Sequence, residues 1–220
     1  MQAMKQEDAR PNTTRMFESD LIERFSRIHP ATPFVFWLPL LGYVTYQSLA
    51  NHPVGLLATL GLVVGGMLFW SISEYVLHRY VFHWQNGTAF GRRFHFLIHG
   101  VHHDFPTDRD RLVMPLGASI PVGAGFFLLF RLTMGPAASL PFFVGFGLGY
   151  LAYDGMHFAL HHFKISSGVG KFLKKHHMLH HHVDHSGGFG VSSPLWDFVF
   201  GTMPQPRVKR VARAEGDAVS

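Results

Sequence analysis

Long intervals without a charged side chain constrain this sequence more than any other feature. No Lys, Arg, Asp or Glu occurs between Arg27 and Glu74, an interval that holds Phe34-Val35-Phe36-Trp37-Leu38-Pro39-Leu40-Leu41 and the run from Val54 to Trp70. A membrane span needs about 20 mainly apolar residues. This interval therefore accommodates two spans, with Asn51-His52-Pro53 as the turn between them. After Arg111 the pattern repeats: Leu112 to Phe130 is uncharged, Arg131 follows, and Leu132 to Tyr153 is uncharged again, with a turn near Met134-Gly135-Pro136. The expected fold is an all-α integral membrane protein with about four transmembrane helices in two hairpins. A soluble protein with four buried core helices of this length is the disfavoured alternative. Composition agrees, since only 15% of the 220 residues are charged, against about 25% in soluble domains.

Basic residues give the orientation, because Lys and Arg accumulate on the cytoplasmic side of spans. Arg10, Arg15, Arg24 and Arg27 precede the first hairpin. Arg79, Arg92, Arg93, Arg109 and Arg111 separate the two hairpins. Lys164, Lys171, Lys174, Lys175, Arg207, Lys209, Arg210 and Arg213 follow the second, leaving Arg131 alone on the far side. Both termini are thus expected in the cytoplasm. The net charge of +5 reports membrane orientation, and nucleic acid is not needed to explain it. The polar first 30 residues do not resemble a cleavable signal peptide. Three regions are expected: a cytoplasmic segment 1–30, a membrane domain 31–203 and a flexible basic tail 204–220. Gly61-x-x-x-Gly65 in the second span offers a site for close helix approach, although simple packing is the favoured account because glycines are common in apolar helices.

The chain has no cysteine, so any metal must bind through nitrogen or oxygen. Histidine is abundant, with 17 residues, of which 15 fall between His78 and His185. They form four groups: His78 and His83; His95, His99, His102 and His103; His157, His161 and His162; and His176, His177, His180, His181, His182 and His185. Residues three or four apart share a helix face. His99/His102/His103 and His177/His180/His181 are therefore two triangles, each able to aim imidazoles at a common point, and His157/His161 is a further pair. His78 and His83 are five apart, about 140° around a regular helix. Both can reach one centre only if the helix ends or carries a π-bulge between them. So many imidazoles exceed the four to six ligands of one transition metal and imply two ions. Glu74, Asp104, Asp154 and Asp184 lie beside the histidine groups, placed either to orient ligand N–H groups from outside the metal or, for Asp104 and Asp184, to cap helices. The paired Glu-x-x-His signature of soluble di-iron bundles and the His-Glu-x-x-His zinc-protease motif are both missing.

These residues resemble the fatty acid 2-hydroxylases of the membrane fatty acid hydroxylase and sterol desaturase superfamily. The resemblance is carried by His78-Arg79-Tyr80-Val81-Phe82-His83, by His99-Gly100-Val101-His102-His103-Asp104-Phe105-Pro106, and by Tyr153-Asp154-Gly155-Met156-His157 with His161. It continues through Lys174-Lys175-His176-His177-Met178-Leu179-His180-His181 and Gly188-Phe189-Gly190-Val191-Ser192, covering about residues 70 to 203. It implies ten metal ligands: His78, His83, His99, His102, His103, His157, His161, His177, His180 and His181. It also implies two iron ions, with zinc able to replace them in purified protein, in a cytoplasmic helical cap. The implied activity is O2-dependent hydroxylation at C2 of a long acyl chain, free or within a sphingolipid or other lipid. His29-Pro30-Ala31 does not complete the haem motif of a cytochrome b5 domain, so electrons are expected from a separate donor, a cytochrome b5-like protein or a ferredoxin with its reductase. A bacterial inner membrane is expected in preference to the endoplasmic reticulum. Sterol or carotenoid oxidation or desaturation, and metal transport or storage, are the alternative readings.

Overall fold

The computed structural model describes residues 13–166 and 168–206. Residues 1–12 of the expected N-terminal segment and 207–220 of the expected basic tail lie outside the described residues, as do Arg10, Arg207, Lys209, Arg210 and Arg213. Among the described residues every regular element is helical.

Helix α1 (Asp20–Phe25) is short. Helix α2 (Thr32–Asn51) opens with Pro33 in its first turn, where a missing N–H costs nothing, and stops just before His52-Pro53. Gly55, at φ 82°, turns the chain into α3 (Leu56–Val76), which runs on without interruption into a π-helical segment, Leu77–Phe82. Two short helices follow, α4 (Ala89–His95) and α5 (Val101–Asp104), joined by a second π-helical segment, Phe96–Gly100. Helix α6 (Leu116–His162) is broken at Gly135, whose φ of 73° is unavailable to a helix and precedes Pro136. Its limbs 116–134 and 136–162 fold back on one another, with Phe126 tilted against Phe146 at a centroid distance of 4.6 Å and Phe130 edge-on to Phe142 at 4.9 Å. Helices α7 (Gly168–His182) and α8 (Leu195–Val199) complete the chain.

Four helical rods thus lie side by side: α2, α3 and the two limbs of α6. Aromatic side chains lock them together, with Trp37 of α2 against Phe143 and Tyr150, and Trp70 of α3 against Phe146, Tyr150 and Tyr153. The closest approach in the second rod comes one residue beyond the predicted glycine pair. A Cβ on Gly66 would lie 2.0 Å from the Phe142 carbonyl oxygen, and one on Gly145 would lie 1.9 Å from that of Val63, whereas Gly61 faces open space. Outward faces are apolar: Val35 is 72% exposed, Leu57 85% and Leu132 77%. Two continuous helical stretches, Leu56–Phe82 and Arg109–His162, are long and apolar enough to cross a membrane, which with the apolar outer faces describes a membrane protein.

The ends of α3 and of the second α6 limb carry a cap built from α4, α5, α7, α8 and their connections. A strap of residues 13–29 lies across it. Glu23 is the strap's anchor: it accepts from the Met16 and Phe17 amides at 2.9 and 3.1 Å and pairs with the buried Arg111, which also lies 3.4 Å from Asp108.

Candidate metal centre

The π-helical segment solves the spacing problem of the first histidine pair. The His83 amide donates to the His78 carbonyl at 3.2 Å, an i→i+5 bond, so residues five apart come into line. Their Nε2 atoms are 3.3 Å apart. The bulge expected between them is present.

All ten predicted histidines converge, but in two sets. His78, His83, His99, His103 and His180 form one cluster, and His102, His157, His161, His177 and His181 the other; in each, one ring nitrogen per residue lies within 4.8 Å of all the others. The expected triangles are therefore divided. Residues four apart stay together, as His99/His103, His157/His161 and His177/His181 do, while the intervening His102 and His180 turn to the opposite cluster. The physical reason is angular: i+4 is displaced by about +40° and i+3 by about −60° around the helix, so a boundary between two centres separates them. The clusters adjoin where His103 stacks on His181, centroids 4.2 Å apart.

Spacing and chemistry both suit metal ions. Nε2–Nε2 separations are 3.0 Å for His78 and His99, 3.1 Å for His83 and His180, 2.9 Å for His103 and His99, and 2.8 Å for His161 and His177. Two nitrogens bound at right angles to one ion, each about 2.1 Å from it, would be about 3 Å apart. Both ring nitrogens of His102, His157 and His181 are buried without a hydrogen-bond partner, an arrangement that is costly unless something else satisfies them. Burial, reinforced by repulsion between neighbouring imidazoles, drives the His83 pKa down to about 3 and holds His99 well below its usual value. Burial likewise brings His180 to about 4. The rings are neutral at pH 7 with lone pairs free to bind a cation.

The groups that orient these rings differ from those expected. The Nδ1–H of His78 donates to the Phe189 carbonyl at 2.6 Å, and that of His180 to the Gly187 carbonyl at 2.7 Å. Glu74, expected to hold an imidazole, instead accepts from the Val191 and Ser192 amides at 2.6 and 2.9 Å and from the Ser192 hydroxyl. Asp154, the other acid expected in that role, lies 3.5 Å from the Met114 amide and keeps one oxygen without a partner. Asp184 closes a turn through Ser186 and Gln205, and Asp104 is exposed at the end of α5. Of the remaining histidines, His95 donates to the Phe82 carbonyl at 2.7 Å, and His176 lies 3.0 Å from the fully buried Asp197. Asp197 belongs to Trp196-Asp197, a pair that continues the family resemblance, but the sequence alone gives it no role in the site. Burial alone would raise its pKa, but hydrogen bonds from His176, Gly190, Thr202 and Phe189 outweigh that and keep it below the ordinary value.

A largely apolar cavity of about 490 Å³ opens onto both clusters, with His99, His102 and His157 in its wall. Met16, Phe17 and Phe25 of the strap close one side, and Leu77 and Phe82 of the π-helical segment another.

A profile of the fatty acid hydroxylase family matches residues 63–202. The chain belongs to the fatty acid hydroxylase family. It is 38% identical over 197 residues to the dihydroceramide fatty acyl 2-hydroxylase FAH1 of Arabidopsis thaliana, covering 89% of this chain and 82% of that one. It is 36% identical over 215 residues to the fatty acid 2-hydroxylase of Mus musculus, covering 89% of this chain and 57% of the relative, so it spans little more than half of the mouse protein. Among solved structures it matches full-length scs7p, in which only the hydroxylase domain is visible, with a TM-score of 0.79 and 35% identity over 86% of this chain and 71% of that one. The resemblance read from the histidine boxes holds, and this member of the family is a lipid-directed oxidoreductase with two histidine clusters able to bind metal.

Proposed function

We propose that the protein is a membrane di-iron monooxygenase that places a hydroxyl on C2 of a long-chain fatty acyl group, with the ten clustered histidines as ligands. The observation that carries this reading is the apolar cavity ending on His99, His102 and His157, where an acyl chain would meet both clusters. The balanced reaction is R–CH2–CO–X + O2 + 2 electrons + 2 protons giving R–CH(OH)–CO–X + H2O. Iron held by these imidazoles would supply the redox chemistry that activates O2 and removes the C2 hydrogen. The chain's own contribution is positioning: the cavity wall aligns the acyl chain, the strap excludes water, and the neutral rings keep the site free of competing protons. The names of the relatives favour C2 hydroxylation over sterol or carotenoid chemistry and over metal transport.

In this reading, α2, α3 and the two limbs of α6 are four spans. The cap, carrying Arg92, Arg93, Lys171, Lys174 and Lys175, faces the cytoplasm with both termini, where a separate electron donor reaches it. The test is mass spectrometry of hydrolysed lipids from cells expressing the wild type or His177→Ala. Acyl chains heavier by one oxygen at C2 are expected in the wild type alone. Their absence from cells holding folded, metal-loaded wild type with a reductase system present would refute the proposal.

A further inference from the structure

The two clusters are held differently, and the difference runs through two buried acids that touch no ligand. Residues 187–192 pass between them. Glu74 grips the C-terminal end of this segment through Val191, Ser192 and the Ser192 hydroxyl. Asp197 grips the middle, accepting from the Phe189 amide at 2.9 Å and the Gly190 amide at 2.8 Å. Its remaining lone pairs take the Thr202 hydroxyl at 2.8 Å and the His176 ring at 3.0 Å. The carboxylate only accepts, so the Thr202 hydroxyl proton points at Asp197. Tyr75 therefore donates to Thr202, at 3.0 Å, and accepts from Arg79 at 2.7 Å. A guanidinium at the start of the π-helical segment is thus connected to the clamp through two hydroxyls.

The Phe189 carbonyl that accepts from His78 lies within the Asp197 grip, and the Gly187 carbonyl that accepts from His180 just precedes it, beside the Gly188 amide that donates to the Thr202 carbonyl at 2.8 Å. Glycine makes the approach possible. Gly188 has φ 81° and a Cβ there would lie 3.1 Å from that of His180, while a Cβ on Gly190 would lie 2.1 Å from the Ser193 carbonyl oxygen. Both oriented rings belong to one cluster. In the other, the Nδ1 atoms of His102, His157, His177 and His181 are buried with no partner.

We infer that Asp197 and Glu74 are positioning residues that fix the metal of the His78/His83/His99/His103/His180 cluster alone, making the two metal sites unequal in retention. This rests on the reading of the clusters as metal sites. A hydrogen bond to the far nitrogen fixes a ligand's tautomer and orientation, and losing such a contact typically weakens metal binding about 10- to 100-fold. Asn at position 197 is nearly isosteric but sets an NH2 group against two donors that needed an acceptor.

Zinc suits imidazole and cannot turn over, so the test uses purified protein reconstituted with zinc and counts metal per chain by mass spectrometry. Wild type should hold two ions and Asp197→Asn one, with helical content unchanged. Two ions retained in the variant, or both lost from a folded variant, would overturn the inference. Should Asp197→Asn fail to fold, Ser192→Ala decides, since it removes only one of the three bonds to Glu74. Under chelator, wild type should release its ions in two phases, and Ser192→Ala should speed the slow phase about tenfold while leaving the fast one alone. A single wild-type phase, or phases that respond together or not at all, would contradict it. These readouts need no turnover: loss of one ion as described, with no 2-hydroxy acid formed by iron-loaded wild type, would sink the hydroxylase reading and leave the clamp standing.

Discussion

His102 and His103 are consecutive in the chain, yet their imidazoles, with ring centroids 6.1 Å apart, serve different clusters. Each is one of five donors in its own cluster. His102→Ala and His103→Ala are therefore expected to lower metal content in different clusters and to abolish hydroxylation in both cases, with protein still present in the membrane. His29→Ala and His52→Ala, outside the clusters, should be silent. Full activity in either of the first two variants would contradict the ligand assignment.

The strap gives a second prediction. Burial would raise the Glu23 pKa, but the Met16 and Phe17 amides and Arg111 bring it down to about 2 from 4.5. A depressed carboxyl pKa stabilises the fold above the ordinary value and loses that contribution as pH falls through about 4.5 toward 2. Limited proteolysis of residues 13–29 should therefore be equally slow at pH 6 and pH 8. Glu23→Gln takes one of two carboxylates from the buried Arg111 and leaves Asp108, 3.4 Å away, to face its charge, a smaller loss than the about 3–5 kcal/mol of a fully broken buried pair. The strap of this variant should be cut faster at both pH values, and its apparent KM for the acyl substrate should rise while metal content holds.

Helix contact in the rods is testable by adding single methyl groups. Gly145→Ala drives a Cβ against the Val63 carbonyl and should lower thermal stability in detergent by about 1–3 kcal/mol, as overpacking generally does. Gly61→Ala meets nothing within 4 Å and should be neutral or gain about 0.4–1 kcal/mol. Equal melting temperatures for the two variants would refute the close contact.

Cavity size should set acyl length. Ala118 lies in the cavity wall, so Ala118→Trp is expected to shift the 2-hydroxy products toward shorter chains with metal content unchanged. An unaltered chain-length profile would show that the acyl group lies elsewhere.

Much of this arrangement was legible in the sequence because its signals are strong and local. Charge-free runs mark the rods, and Asn51 and Gly135 end them where predicted turns fall. The five-residue spacing of His78 and His83 demanded an irregular helix, and a π-helical segment is present. Division of the histidines was not legible: three- and four-residue spacings from His99 both read as one face, and only the position of neighbouring helices turns the angle of about 100° between His102 and His103 into membership of two clusters. The roles of Glu74 and Asp197 were hidden for another reason. They act on backbone amides more than 110 residues away and 7–8 residues away, respectively, and an amide carries no side-chain signature. The strap was equally silent, since Glu23 and Arg111 meet across 88 positions.

The π-helical segment bears on the order in which the molecule is assembled during synthesis. π-Helices are rare, and irregular backbone persists where its surroundings over-determine it. Here the restraints come later in the chain: His95 holds the Phe82 carbonyl, and Phe189 holds His78. A nascent chain that has emerged only as far as α3 has neither restraint, so that stretch is free to relax into a regular α-helix with His83 swung away from His78. The second rod can be inserted early as an ordinary helix, and the first cluster takes shape only after residues 187–192 have docked. The first histidine cluster is therefore completed by residues more than 100 positions beyond His78, not by the helix that carries His78 and His83.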